Sequence, residues 1–235
     1  MRDIALPQTI RSKTARTHTR RLKWKILAQD RSLPHLERKL YHFLMGLGCF
    51  SLYAFLLDRT QGLVVLGVVG GCFLAGDIAR LYSPKLNSWT VYLFGRFMRR
   101  EELKSITGNS FYVLGLFVLM FFFPKPIVLL SIVFLAVGDP VAAIAGTFFG
   151  RRRLWGKKTA EGALANGVAS ALATFVVGSR YFHLNAVDAG QLAVIGGMIS
   201  LSAEAVVTPL DDNFTIPVLS ALLLTVFEPI LPILN

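Results

Sequence analysis

The chain has 235 residues, 54% of them hydrophobic, with 25 Lys and Arg against 14 Asp and Glu, a formal net charge of +11 and a mean hydropathy of +0.55. Several apolar runs approach the ~20 residues needed to cross a bilayer, which excludes a soluble globular domain and describes a multi-pass membrane protein. In lipid only helices or closed barrels satisfy the backbone polar groups, and these runs lack the in/out alternation of barrel strands, so the fold class is all-α, a polytopic membrane helical bundle.

In chain order, residues 1–37 form a basic arm in which Arg11, Lys13, Arg16, Arg20, Arg21, Lys23 and Lys25 stand without an acid between Asp3 and Asp30. Such a segment builds no apolar core and reads as a cytoplasmic arm lying against anionic lipid headgroups. An organelle transit peptide shares its arginine and hydroxyl content but calls for an apolar face that the arm lacks, and no nucleic-acid partner is expected. The first apolar run starts too late for a secretory signal peptide. Residues 38–235 form the membrane-embedded domain, with apolar runs at 40–57, 63–81, 110–123, 127–149, 163–177, 192–207 and 214–234, which makes about seven transmembrane helices. With the N-terminus in the cytoplasm, all of the 25 Lys and Arg except Arg59, Lys125 and Arg180 fall before residue 40, between 80 and 104, or between 151 and 158. That segregation follows the positive-inside rule, so the net charge mostly reports topology. The run at 127–149 contains Pro140, where the helix should kink or break. Cys49 and Cys72 lie inside predicted spans without metal-ligand spacing and read as packing residues.

Polar residues inside spans are costly and mark function by default. Here they gather towards one side of the membrane, where they can reach a common cytoplasm-facing pocket. Arg38, Lys39 and His42 open the first span, and Asp77 and Arg80 share a face at the end of the second. Glu101 and Glu102 with Thr107-Gly108 precede the third span. Gly138-Asp139-Pro140, Gly146, Gly150 and Arg151 to Arg153 lead to Lys157-Lys158-Thr159-Ala160-Glu161-Gly162, and Glu204 and Asp211-Asp212-Asn213 flank the turn before the last span. A carboxylate that holds a divalent cation, glycines that admit close backbone approach and lysines that neutralise oxygens are what phosphate chemistry requires. Plainer readings stand beside these. Lys39 reads as a topological anchor, Asp77 with Arg80 as an ion pair fixing two helices, Gly146 with Gly150 as a helix-packing face, Arg151 to Arg153 as a solvated run and Trp155 as an interfacial anchor.

The ordered set, from Arg38-Lys39 with His42 through Asp77 with Arg80, Glu102 with Thr107-Gly108, Gly138-Asp139, Gly146, Gly150, Lys158 to Gly162, Glu204 and Asp212-Asn213, resembles the CTP-dependent lipid-alcohol kinases, the group of dolichol kinase, phytol kinase and the CTP-dependent diacylglycerol kinases. The likeness runs from about residue 38 to 217. It implies transfer of the γ-phosphoryl group of a nucleoside triphosphate, CTP, to the hydroxyl of a membrane lipid alcohol (a polyprenol or dolichol, phytol, or diacylglycerol), with magnesium or another divalent cation. Carried over by position, Gly138, Gly146, Gly150, Lys157, Lys158, Thr159, Glu161, Arg38 and Arg80 would form the nucleotide region. Asp139, Asp212, Asn213 and Glu204 would serve the metal, Glu102 and Asp211 would support the site, and Asp77 or His42 would orient the hydroxyl beside Asp139 and Lys158. The resemblance also implies an integral protein of a bacterial or archaeal plasma membrane or an organelle membrane. A phosphatidate cytidylyltransferase, which attacks the α-phosphate instead, is the first alternative, and its longer C-terminal signature is not matched by Leu210-Asp211-Asp212-Asn213. A small cation or proton transporter is the second, but its conduction path needs polar groups through the whole membrane thickness.

Overall fold

The computed structural model describes residues 36–231 apart from 96, 100, 155, 157 and 207. Residues 1–35 of the basic arm, Trp155 and Lys157 therefore lie outside the described residues, and the arm's last two residues, Leu36 and Glu37, already belong to the first helix. Helix α1 (Leu36–Ser51) runs directly into a wider π turn, Leu52–Leu56. Asp58 then starts α2 (Arg59–Tyr82) with a reciprocal cap, its carboxylate accepting from Gln61 N at 2.8 Å while Gln61 Oε1 accepts from Asp58 N at 3.0 Å. Ser83 at the N-cap and Pro84 in the first turn set a short helix, α3 (Pro84–Phe94). A 3-10 turn, Glu101–Leu103, leads to α4 (Gly108–Phe122). The following helix is α5 (Lys125–Val133), a π turn Phe134–Gly138, and α6 (Asp139–Phe149) without interruption. Then come α7 (Ala160–Arg180), α8 (Ala186–Ala205) and α9 (Asp212–Val226). Among the described residues the only β pairing is an isolated bridge between Arg153 and Thr159.

Five of these segments are long and apolar enough to cross a membrane: Glu37–Leu56, Arg59–Tyr82, Lys125–Phe149, Ala160–Arg180 and Ala186–Ala205. The shorter apolar helices α4 and α9 occupy the two other positions where spans are expected. Pro140 neither breaks nor sharply ends its span. It lacks an N–H, and the π turn immediately before it widens the helix where the α-type bond could not form.

The α5–α6 segment is the axis of the bundle, with every residue from Ile127 to Ala136 buried, whereas α2 buries only Gly62, Asp77 and Arg80 and turns Val64, Val68, Phe73 and Ile78 outward. Helices α7 and α8 make the most extensive helix pair. They approach closely because a side chain at Gly197 would meet Gly167 O at 2.8 Å, the small-residue packing expected where no water drives helices together. A polar seam lies inside this contact, with Ser200 Oγ donating to Asn166 Oδ1 at 2.6 Å and pairing with Ser170 Oγ at 2.8 Å. Gly138 packs on the same seam, since a Cβ there would lie 2.6 Å from Ser170 Oγ.

At the end of the bundle away from the acidic and basic clusters, Lys125 Nζ donates to the carbonyls of Ala54 and Leu57 at 3.2 and 3.3 Å. Arg59 donates to Phe121 O, and Tyr181 Oη donates to Ala54 O at 3.0 Å. Two of the three cations outside the positive-inside pattern thus donate to carbonyls at helix ends. The α7–α8 contact yields a first expectation. Gly197→Leu overpacks it by about 1–3 kcal/mol, lowering the thermal midpoint in detergent, read by intrinsic fluorescence, while Gly71→Leu on the exposed face of α2, where nothing lies within 4 Å of a Cβ, leaves it unchanged.

Candidate active site

Helix α1 brings Lys39 to the first turn of α6, where its Nζ donates to Asp139 Oδ2 at 2.6 Å across 100 residues of sequence. Both residues are buried, at 9% and 8% exposure. They form the floor of a cavity of about 1050 Å³ lined also by Arg38, Arg99, Lys158, Glu204, Asp211 and Asp212. An isolated carboxylate at that depth would be prohibitively costly, so the lysine read as an anchor is the counterion that lets Asp139 exist as a charge.

The neighbouring wall is a closed frame. Asp77 Oδ1 accepts from Arg80 Nε at 2.7 Å, and Oδ2 accepts from Thr107 N, Thr107 Oγ1 and Ser110 Oγ at 2.8, 2.7 and 2.6 Å. Arg80, 2% exposed, donates further to Asn87 Oδ1, Glu102 O and Ser105 O. Both Asp77 oxygens are engaged and neither residue lines the large cavity. Both border a smaller cavity beside it, where the side chains expected to orient a hydroxyl and to meet a nucleotide are engaged in this ion pair and its hydrogen bonds. Glu102 accepts from Gly108 N at 3.1 Å and from Arg99 N at 3.0 Å, supplying the cap that Thr107 does not give α4. Asp211 caps α9 by accepting from Asn213 N at 3.0 Å and takes Arg99 Nη1 at 2.6 Å. Asn213 donates to Gly108 O at 3.1 Å and lies outside the large cavity. This is a tie between the starts of α4 and α9 rather than the metal ligand expected from sequence. Gly108 has no room for a side chain, because a Cβ would lie 2.6 Å from Asn213 Nδ2.

The stretch after α6 folds back on itself, with Leu154 N donating to Lys158 O, Ala160 N to Arg152 O, and Gly156 turning the chain at φ +58°. Thr159 caps α7, accepting from Gly162 N at 3.1 Å. Glu161 accepts from Arg151 N and Arg152 N and so holds this loop rather than a ligand. Arg151 to Arg153 are exposed, as a solvated run should be. Lys158 reaches inward, donating to Glu204 O at 2.7 Å and lying 3.1 Å from Asp212 Oδ1 and 3.8 Å from Glu204 Oε1. Gly146 both lines the cavity and admits the α6–α7 crossing, since a Cβ there would sit 2.9 Å from Thr159 Oγ1. Gly150, where a Cβ would collide with Gly146 O and Thr159 Cγ2, serves packing, as Gly138 does.

Of the residues expected at the site, Arg38, Asp139, Gly146, Lys158, Thr159, Glu204, Asp211, Asp212 and Glu102 share the large cavity. His42 lines an adjoining one, with its ring 5.6 Å from that of Tyr112. Lys157 lies outside the described residues. Arg99 was not anticipated. Burial opposes its charge, but Asp211 and Glu102 more than compensate and raise its pKa above the ordinary value. In sequence it looked like one more topological cation among its basic neighbours.

The described residues thus form a helical bundle, with five helices long and apolar enough to cross a membrane and a deep cavity lined by charged side chains. The chain is 30% identical over 214 residues to CTP-dependent diacylglycerol kinase 1 of Eremothecium gossypii, a match covering 80% of this chain and 65% of that protein. It is 28% identical over 220 residues to the protein of the same name from Schizosaccharomyces pombe, covering 87% and 97%. With phytol kinase 1, chloroplastic, of Arabidopsis thaliana it shares 27% identity over 201 residues, 80% of this chain and 64% of that one. No protein-family profile matches the chain, and no solved structure does. The chain is thus similar, over about 80% of its length, to proteins named as CTP-dependent diacylglycerol kinases, phytol kinases and a farnesol kinase. It spans just under two thirds of the Eremothecium relative and nearly all of the Schizosaccharomyces one.

The Lys39–Asp139 pair yields a stability test. Asp139→Leu alone strands a buried ammonium and costs about 3–5 kcal/mol, whereas Lys39→Met with Asp139→Leu recovers most of that loss. Thermal unfolding in detergent checks both.

Proposed function

We propose that the protein transfers the γ-phosphoryl group of CTP to the hydroxyl of an uncharged membrane lipid alcohol, of the kind named in its relatives (diacylglycerol, phytol, farnesol). The observation that carries this reading is the convergence of Arg38, Lys39, Arg99 and Lys158 with Asp139, Glu204, Asp211 and Asp212 on one cavity. Phosphoryl transfer asks for positioning and charge neutralisation rather than a covalent nucleophile. Lys158, Arg38 and Arg99 take phosphate oxygens. The acceptor oxygen bonds to the γ-phosphorus as its bond to the β,γ-bridging oxygen breaks, CDP leaves, and His42 orients the acceptor and takes its proton. His42 is suited by position, one turn deeper than Lys39 on the same face of α1. Asp77 and Asn213 keep the frame.

Magnesium fits the donor set. Asp139, Glu204 and Asp212 offer hard oxygens to the cavity, and Glu204 Oε2 is buried with no hydrogen-bond partner among the described residues. An ion here would be held by one or two of these carboxylates and completed by substrate phosphates and water. When bound, the ion neutralises charge on the phosphate oxygens.

The same proposal includes topology: seven crossings, with α4 and α9 as the short ones, the N-terminus and the cavity facing the cytoplasm, and the basic arm of residues 1–37 against anionic headgroups. In a variant lacking Cys49 and Cys72, a cysteine at Arg152 should react with a membrane-impermeant maleimide only from the cytoplasmic side, and one at His183 only from the other. The reverse pattern would invert the topology.

The activity is tested with purified protein, magnesium, and CTP labelled at the γ or the α phosphate, offered diacylglycerol, phytol, farnesol, polyprenols and phosphatidate. Lipid labelled from the γ position only, lost in Asp139→Asn and reduced about a hundredfold or more in kcat/KM by Lys158→Ala, is the expected result. Label from the α position would mean cytidylyl transfer, and no transfer to any acceptor would favour ion transport.

A further inference from the structure

Beside the large cavity lies a second of about 260 Å³ between α1, α2, α3 and the start of α4, lined among others by Tyr41, His42, Phe73, Gly76, Phe94 and Asn109. The two cavities adjoin, because Arg38, Met98 and Glu102 line both. Arg38 stands at the junction, with its Nε buried and without a hydrogen-bond partner among the described residues.

The smaller cavity is graded in chemistry. Its inner end carries His42 and Tyr41, whose hydroxyl accepts from Asn109 Nδ2 at 3.4 Å. Its outer end is formed by Phe73, Gly76 and Phe94, and both phenylalanines belong to faces that the bundle leaves exposed, at 42% and 55%. Arg80 also borders this space, but its donors are committed to Asp77, Asn87, Glu102 and Ser105. Asp77 and Glu102 border it too, but the Asp77 oxygens are taken up by Arg80, Thr107 and Ser110 and those of Glu102 by Arg99 N and Gly108 N, so the groups left to a head at the inner end are those of His42, Tyr41 and Asn109, with the charge of Arg38 at the junction. At Gly76 nothing lies within 4 Å of a Cβ position, so this wall is open space rather than close packing. Helix α3 completes the outer wall. It has no buried residue and presents Trp89 and Tyr92 outward, as a helix lying in the membrane interface does.

We propose that this groove is the acceptor site, taking an uncharged lipid alcohol with its hydroxyl inward beside His42 and its chain leaving between α2 and α3 into the bilayer. The proposal rests on the kinase reading and assigns that reaction a second substrate path, separate from the nucleotide cavity. The volume of about 260 Å³ is below the roughly 300–1,000 Å³ usual for pockets that enclose a whole ligand. It suits a head and the first part of a chain, with the remainder left among lipids against the largely exposed α2. A site that holds only the head and chain root selects for a neutral hydroxyl and tolerates different tails.

The test uses the full chain in liposomes with two readouts. First, Gly76→Phe fills the outer end of the groove without meeting backbone, and Gly71→Phe places the same side chain on the same helix away from it. Gly76→Phe should raise the KM for the lipid alcohol about tenfold or more while the KM for CTP stays within about twofold, and Gly71→Phe should change neither. Second, a lipid alcohol with a diazirine near its hydroxyl is photolysed without nucleotide, and the labelled peptides are mapped. Label within residues 72–76 or 90–97, absent in Gly76→Phe and retained in Gly71→Phe, supports the groove. Phosphoryl transfer by the wild type with label elsewhere and an unchanged lipid KM in Gly76→Phe overturns it. Label in the groove without phosphoryl transfer by the wild type would keep the lipid site and refute the kinase reading, so the two fail separately.

Discussion

A carboxylate placed midway along the most buried helix of a membrane bundle is the constraint to which the other features answer. Moving a carboxylate from water into such surroundings carries an idealised cost of order 20 kcal/mol, and it is tolerated only with a counterion in good geometry. Lys39 supplies that counterion at 2.6 Å, which fixes α1 against α6 and sets the floor of the cavity. Replacing buried pairs with apolar residues is often neutral or stabilising, so this one is poorly explained by stability. It is better explained by the function proposed above, which asks for a charged oxygen at that depth.

Around that floor the acids have double duties. Glu102 satisfies the start of α4 and holds Arg99, Asp211 does the same for α9, and Asp77 binds both Arg80 and the Thr107 backbone. The helix ends that converge here are thereby capped, and what remains for an anionic substrate is a set of side-chain cations already held in place by carboxylates. Preorganised charge of this kind costs no rearrangement when a reaction begins.

Much of this was legible in the chain because membrane chemistry is severe. Lipid permits few polar residues in helices, so Asp139, Lys158 and Glu204 stood out against the apolar background and share one cavity. Asp77, Asn213, Glu161, Gly138 and Gly150 were equally visible but serve the frame, since sequence shows that a polar group needs a partner without showing whether the partner is protein or ligand. Lys39 read more simply as an anchor and Arg99 passed unnoticed for the opposite reason: near a membrane boundary a cation is expected anyway, and partners 100 and 112 residues away leave no local trace. The amphipathic helix α3 was passed over as part of a charged connecting segment, although Ser83-Pro84 followed by Leu86, Trp89 and Leu93 carries both a start signal and a helical period.

The π turn at Phe134–Gly138 acts as a phase shifter. One residue beyond the regular repeat rotates everything after it by about 100° about the helix axis. The first half of the span can therefore be apolar on every side, with Ile127 to Leu130 fully buried, while the second half is clocked independently so that Asp139 and Gly146 share the cavity lining. Removing one residue from that turn would leave hydropathy and span length almost unchanged and yet swing the carboxylate away from Lys39. In this helix the length of the turn, as much as the identity of any side chain, sets the site.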